Sequence, residues 1–398
     1  MNVFEQPYYK LLINFARSIG RWPDQSRLQA LLIGIGIVTL FIVQVTPIIL
    51  SDIVHSDDRH LIFETLAPAI TYLACFELYL NTLINGRKLR LLFERINDNW
   101  KVLKNRDEKH IMEKHTNFGN FLSAGYAVFV YIAAITFVTE PVLPMMANYF
   151  FKTNISAPHN FAVPMEWIII DTEKYYWVIM IQSGICTVLS LSVLVSVDVI
   201  IITLVYHACG LFAVAGRHRI ESLPYEEKLK NGLTKSKLLR NSYDVHYIHL
   251  VSCIRFHRRA LEYFDLIESA FCGCFGAAIG LNLPIMSITG VQFITQSNTL
   301  RQKIKMLMFA VGVMIHLFFE CFISQQLTDM SLRIQQHIAN TKWYDISVKS
   351  QKLLVLMTRR CQIPCILTAG KIVGLSMESF GMMIKTSASY FTFLLSMQ

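Results

Sequence analysis

Apolar positions along the 398-residue chain gather into seven long runs, about 30–50, 61–84, 119–147, 176–212, 266–294, 305–327 and 373–396. About 20 apolar residues in a helix cross a hydrocarbon layer of roughly 30 Å, and each run reaches that length. None alternates with period two, as a barrel strand would. The pattern predicts an all-α membrane protein with seven transmembrane helices. The first run starts near Ala30 behind a basic amphipathic stretch without a clear cleavage site, so no signal peptide is expected.

Between the runs the period stays helical in several places. Phe4, Tyr8, Leu11, Leu12 and Phe15 recur on one side of residues 3–15, with Lys10, Asn14 and Arg17 on the other. Two readings fit: a helix lying on the inner leaflet, or one packed on the protein's own cytoplasmic side. Pro23 in "GRWPDQS" then breaks the chain before span one. In 238–265, Tyr243, Tyr247, Leu250, Ile254, Leu261 and Phe264 continue the spacing, which extends span five by several turns below the membrane. Residues 341–360 are also helical, but Pro364 and Gly370 follow and interrupt the helix. The seventh helix is therefore expected in two pieces, 341–364 outside the bilayer and 373–396 within it, in a single domain of 1–398 with 1–29 as a cytoplasmic amphipathic segment and spans one to six in 30–327.

Charge adds an orientation. Apolar residues make up 53% of the chain and charged residues 16%, with net charge +9. Thirty of the 37 Lys and Arg fall before span one or in the loops after spans two, four and six, against six in the other loops. The positive-inside rule puts the amino terminus in the cytoplasm and, after seven spans, the carboxyl terminus outside. That inverts the topology of a G-protein-coupled receptor. Asn154, in the chain's one N-x-S/T sequon, falls in a loop this topology places outside and is a candidate glycosylation site.

The nine cysteines avoid the predicted outer loops, so no disulfide framework is expected. Cys361 and Cys365 have no second Cys or His pair at zinc spacing; neither a metal site nor a cofactor is expected. Paired catalytic carboxylates, a Ser/His/Asp set, HExxH and a P-loop are all missing, which argues against an enzyme. A secondary transporter would show internal repeats with matching broken helices, and only the last helix looks broken. Glu77, Asp198, His207, His316, Glu320, Glu378 and Lys385 lie within spans, where ionisable groups are costly and are functional candidates by default. For Asp198, His207 and Glu320 a structural polar network is the plainer reading.

On a wheel of 100° per residue, Met382, Thr386, Ser389, Phe393, Ser396 and Met397 share one sector of the last helix, with Phe380, Ile384, Phe391 and Leu395 opposite. Hydroxyls on one face suit a water-bordering wall; they suit helix–helix packing as well.

The residues at the two ends carry a family resemblance. "YYKLLINFARSIGRWPDQ" is similar to the entry into span one of insect odorant receptors. "WYDISVKSQKLLVLMTRRCQIPCILTAGK" and "LSMESFGMMIKTSASYFTFLL" resemble that family's carboxyl-terminal signature: a Trp-Tyr before the split helix, a Pro and an Ala-Gly at the break, and a Ser-Tyr-Phe near the end. The resemblance implies an odorant-gated, non-selective cation channel in the plasma membrane of olfactory neuron dendrites. It implies a tetramer formed with a co-receptor subunit around a pore lined by the last helix. The expected partners are small hydrophobic odorants, membrane lipid and permeating cations, and no nucleic acid. The short loop from about Phe212 to Asp265 fits a tuning subunit better than the longer co-receptor. Gustatory receptors are the nearest alternative, although the Ser396-Met397-Gln398 ending favours the odorant branch.

By this resemblance the pore and gate residues are Thr386, Ser389, Phe393, Ser396 and Met397, with Phe393 as the apolar constriction. A pocket for small hydrophobic ligands calls for apolar and aromatic walls in the outer halves of spans two, three, four and six. The candidates there are Tyr72, Phe76, Tyr131, Ile132, Thr136, Met180, Gly184, Met314 and Phe318. Orientation is directly testable: an amino-terminal epitope tag should be reached by antibody only after cells are permeabilised, and labelling of intact cells would reverse the topology.

Overall fold

In a computed structural model, which describes residues 3–103, 105–151, 161–167, 170–220, 235–295 and 300–396, the chain is a helical bundle. Its helices are α1 (Lys10–Ser18), α2 (Arg27–Val54), α3 (Arg59–Ile84), α4 (Gly86–Val102), α5 (Arg106–Thr139) and α6 (Leu143–Phe151). They are followed by α7 (Tyr176–Ala213), α8 (Lys235–Thr295), α9 (Leu300–Ala339), α10 (Val348–Cys361) and α11 (Met377–Ser396). Among the described residues six helices are long and apolar enough to cross a membrane: Arg27–Val54, His60–Ile84, Arg106–Phe150, Tyr176–Arg217, His246–Thr295 and Leu300–Ala339. At 20 residues α11 also spans about 30 Å, but it carries Glu378, Lys385 and several hydroxyls and is less apolar.

Small polar residues start the helices. Ser26 forms a capping box with Gln29 at α2, and the Asp58 carboxylate accepts from the His60 and Leu61 amides at α3. Ser347 caps α10, and Ser376 Oγ accepts from the Ser379 amide at α11. Span three is interrupted: Pro141 sits in a 3-10 turn, Glu140–Val142, between α5 and α6. Span five belongs to a continuous 61-residue helix, whose lower half projects beyond any hydrocarbon layer.

The centre of the bundle is α7. From Val193 to Ala213 every residue is buried, consistent with a sequence apolar on all sides. α5 runs against it along a seam of glycines. A Cβ on Gly119 would lie 2.8 Å from Tyr206, one on Gly210 2.6 Å from Met112 Sδ, and one on Gly184 2.8 Å from Val138. Small residues allow this approach where lipid offers no hydrophobic drive for helix association. α2 sits at the edge, with Leu28, Leu31, Leu32, Ile35, Ile42, Ile49 and Ile53 exposed as a lipid-facing stripe.

The amino-terminal segment packs against the protein itself. Tyr8, Tyr9, Leu12 and Ala16 are buried. Trp100 Nε1 donates to Tyr9 Oη at 3.0 Å, Tyr9 Oη lies 3.5 Å from His207 Nδ1, and Asn99 Nδ2 lies 3.2 Å from His207 Nε2. Burial pushes the Tyr8 phenol up to about 12, with help from Glu113, so it stays a neutral donor at physiological pH.

Helix α10 ends at Cys361, three residues before Pro364. The chain then forms a two-stranded hairpin, β1 (Thr368–Ala369) with β2 (Val373–Gly374), so residues 373–374 are strand where the apolar run had predicted helix. Gly370 and Lys371 turn it at φ of 61° and 60°. The Gly370 amide donates to Cys272 O of α8 at 2.8 Å, and a Cβ on Gly276 would lie 3.0 Å from Gly370 N, so the hairpin backbone rests directly on α8. Burial pushes the Cys361 thiol up to about 12 and the Cys365 thiol up to about 11, which makes both inert packing groups.

The seam predicts a cost for bulk. Gly119→Val should destabilise the purified protein by about 2 kcal/mol, as overpacking does, read as a lower thermal midpoint in detergent. Gly125→Val, on the same helix with open space around its missing Cβ, should cost far less.

Candidate functional site

Helices α3, α5, α7, α8 and α9 line a chamber of about 500 Å³. Phe129, Val130, Phe137, Ile285, Met308 and Phe309 furnish apolar walls, and Ala74, Ala133, Ala134, Ala278 and Gly312 keep the space open by being small. Tyr72 lines the chamber, and its hydroxyl lies 2.7 Å from Oγ1 of Thr187, another lining residue, and accepts from Gln44 Nε2 at 3.1 Å.

The chamber has two polar ends. At one end Arg301 Nε stands 2.9 Å from Glu140 Oε1, and Lys305 Nζ stands 3.7 Å from Glu140 Oε2. Lys305 Nζ also donates to Ala162 O at 2.7 Å, which ties the segment 161–167 over that end. At the other end, about four helical turns along α9, lie Tyr126, Asn282 and His316. Tyr126 Oη donates to Asp198 Oδ2 at 2.5 Å, and His316 Nε2 pairs with the same oxygen at 3.4 Å.

Of the nine pocket candidates, Tyr72 and Thr136 line the chamber. Phe76 lies against Phe41, with ring centroids 5.3 Å apart, and Tyr131 Oη donates to Ser192 Oγ at 3.1 Å. Ile132 and Met314 are exposed on the outer surface, Met180 is buried in α7, and Gly184 is in the α5–α7 seam. Phe318 stacks on Phe322 and meets Phe380 of α11 edge-on at 5.6 Å. Tyr126, Asn282, Glu140, Arg301 and Lys305 were not singled out as pocket residues by sequence. The four-residue spacing of Arg301 and Lys305 on one helix face was the available signal, but their shared carboxylate comes from a distant segment.

Helix α11 has two distinct sides. Ser379, Met383 and Ser387 are buried and face α8 and α9. Ser287 Oγ of α8 donates to Ser387 O at 3.1 Å, and a Cβ on Gly290 would lie 2.9 Å from the Phe391 ring. Met382, Thr386, Ser389, Phe393 and Ser396 are exposed on the other side, along with Lys385. Thr386 Oγ1 donates to Met382 O at 2.9 Å and Ser396 Oγ to Phe393 O at 2.7 Å, so each hydroxyl proton is already satisfied and its oxygen remains an acceptor. Met397 and Asn154 lie outside the described residues.

This arrangement has known counterparts. Residues 59–388 match the family model described as 7tm Odorant receptor. The chain belongs to the seven-transmembrane odorant receptor family. Odorant receptor Or2 of Anopheles gambiae is 23% identical to it over 324 residues, which is 80% of this receptor and 81% of that one. Odorant receptor 22b of Drosophila melanogaster is 23% identical over 290 residues, covering 72% and 65% of the two chains. The fold resembles the olfactory receptor OR5 of Machilis hrabei in complex with eugenol, with TM-score 0.77, 15% identity, and 98% and 97% of the chains covered. The receptor is thus a multi-pass membrane protein of an olfactory family, a receptor class and not an enzyme class.

The ion cluster at the chamber end generates a prediction. Glu140→Ala strands the buried Lys305 ammonium and should cost about 3 kcal/mol. Pairing Glu140→Gln with Lys305→Met should cost less than the two single changes added together; additive thermal shifts in that cycle would show the groups to be uncoupled.

Proposed function

We propose that the chain is a tuning subunit of an odorant-gated, non-selective cation channel, working with a co-receptor subunit in a tetramer at the plasma membrane of olfactory neuron dendrites. The observation that carries this reading is the apolar-walled chamber of about 500 Å³ between the helices. Its size falls within the range for small-molecule sites, and its walls suit a hydrophobic volatile ligand. Removing about 200 Å² of apolar ligand surface from water supplies about 5 kcal/mol. The charge bias of thirty basic residues against six supports an amino terminus in the cytoplasm and an inverted topology.

A coupling route follows from two helices that serve both regions. Asn282 and Ile285 of α8 line the chamber, while Ser287 and Gly290 of the same helix touch α11. On α9, Val313 and His316 line the chamber and Phe318 meets Phe380. A ligand that spreads α8 from α9 would therefore displace α11. Four α11 helices around an axis would present Thr386, Ser389 and Ser396 to water, with Phe393 as a ring that closes by dewetting.

The test is patch recording from cells expressing the chain with its co-receptor during an odorant panel. Odorant-evoked cation current is expected. Ala133→Phe, which fills the chamber, should reduce sensitivity at least tenfold. Phe393→Ala should raise basal leak and Ser396→Lys should lower cation conductance. Currents unchanged in all three variants would refute the assignment of both regions, and ligand uptake without unitary currents would indicate a carrier.

A further inference from the structure

Beyond the polar end of the chamber, α7 and α9 bring Asp198, His316 and Glu320 together, with their ligand atoms all within 4.8 Å of one another. The three residues are 7%, 8% and 4% exposed. His316 and Glu320 stand four apart on one face of α9, and Asp198 meets them from α7. Neither carboxylate oxygen of Glu320 has a hydrogen-bond partner among the described residues. We propose that Asp198, His316 and Glu320 bind a single transition-metal dication of the Zn²⁺ class.

Two carboxylates and one imidazole are costly to hold inside a bundle unless their charge is balanced. A dication balances both carboxylates with the imidazole neutral. A proton on Glu320 would remove its charge but leave a buried O–H with no acceptor among the described residues. The donor set, one imidazole nitrogen and two carboxylate oxygens, selects a borderline cation such as Zn²⁺ over Ca²⁺ or Mg²⁺, which prefer oxygen ligands alone. Closing the three atoms to the roughly 3.4 Å separations of a tetrahedral site with bonds of about 2.1 Å requires side-chain movement on the order of 1 Å.

The surrounding groups already orient the ligands. Tyr126 Oη holds one oxygen of Asp198 at 2.5 Å. Asn282 Nδ2 lies 3.3 Å from His316 Nδ1, which directs Nε2 toward Asp198. Metal at Nε2 places the ring proton on Nδ1, and the Asn282 amide can meet it by presenting its oxygen instead of its nitrogen. His316 also lines the chamber, which provides the entry path.

The experiment uses the purified full-length chain in detergent, stripped with chelator, equilibrated with micromolar ZnCl₂, washed and assayed for metal by mass spectrometry. About one Zn²⁺ per chain is expected, with a rise of several degrees in thermal midpoint. Glu320→Gln and Asp198→Asn should each weaken binding at least tenfold and abolish that rise while eluting as monodisperse protein. Wild type that holds no zinc above background overturns the proposal whatever the variants do, and so does zinc retained equally by a folded variant. If one variant does not fold, the other and the wild-type measurement decide. No current is recorded, so the result is independent of the channel reading.

Discussion

A polar side chain buried inside a helical bundle is costly unless a neighbour answers it, and five elements packed on α7 supply such answers. Gln44 of α2 donates to Ser183, Tyr72 of α3 meets Thr187, Tyr126 of α5 and His316 of α9 meet Asp198, and Asn99 of α4 meets His207 beside Tyr9. Each contact comes from a different element and sets the rotation of that element about the central helix. Within lipid, apolar packing discriminates poorly between rotations, because lipid tails are as apolar as leucine. Hydrogen bonds that must be made, together with the glycines that let α5 approach, supply the missing specificity.

The chamber lies where this central ladder leaves room. Small residues, Ala74, Ala133, Ala278 and Gly312, face each other across it from α3, α5, α8 and α9. One end is closed by the ion cluster on Glu140 and the other by the groups around Asp198. Because α8 and α9 also grip α11 through Ser287, Gly290 and Phe318, the same two helices form the chamber wall and the backing of the terminal helix.

Several features were legible because they depend on local period alone. The helical runs, the extension of α8 below residue 266, and the sidedness of α11 that separates Thr386 and Phe393 from Phe380 and Phe391 all follow from spacing along one helix. The chamber was less legible. Tyr131, Ile132 and Thr136 are close neighbours on α5, yet Thr136 lines the cavity, Tyr131 bonds α7, and Ile132 is exposed. Aromatic and aliphatic residues look alike in sequence whether they face a cavity, a neighbouring helix or lipid, and a rotation of less than half a turn separates those fates.

The class of the protein could be read from the chain alone: helices of membrane-spanning length, an uneven spread of basic residues among the loops, and a terminal helix with a hydroxyl side. These rest on composition and short-range periodicity, which tertiary contacts do not alter. Which ionisable residues meet is a property of the folded bundle. Asp198 and Glu320 are 122 positions apart, and Glu140 and Arg301 are 161 apart, so no local pattern could pair them. The amino-terminal helix, whose amphipathic pattern suited either a leaflet or the protein's own side, was likewise resolved by Trp100 and His207, which belong to other helices and offer its Tyr9 hydrogen-bond partners inside the fold.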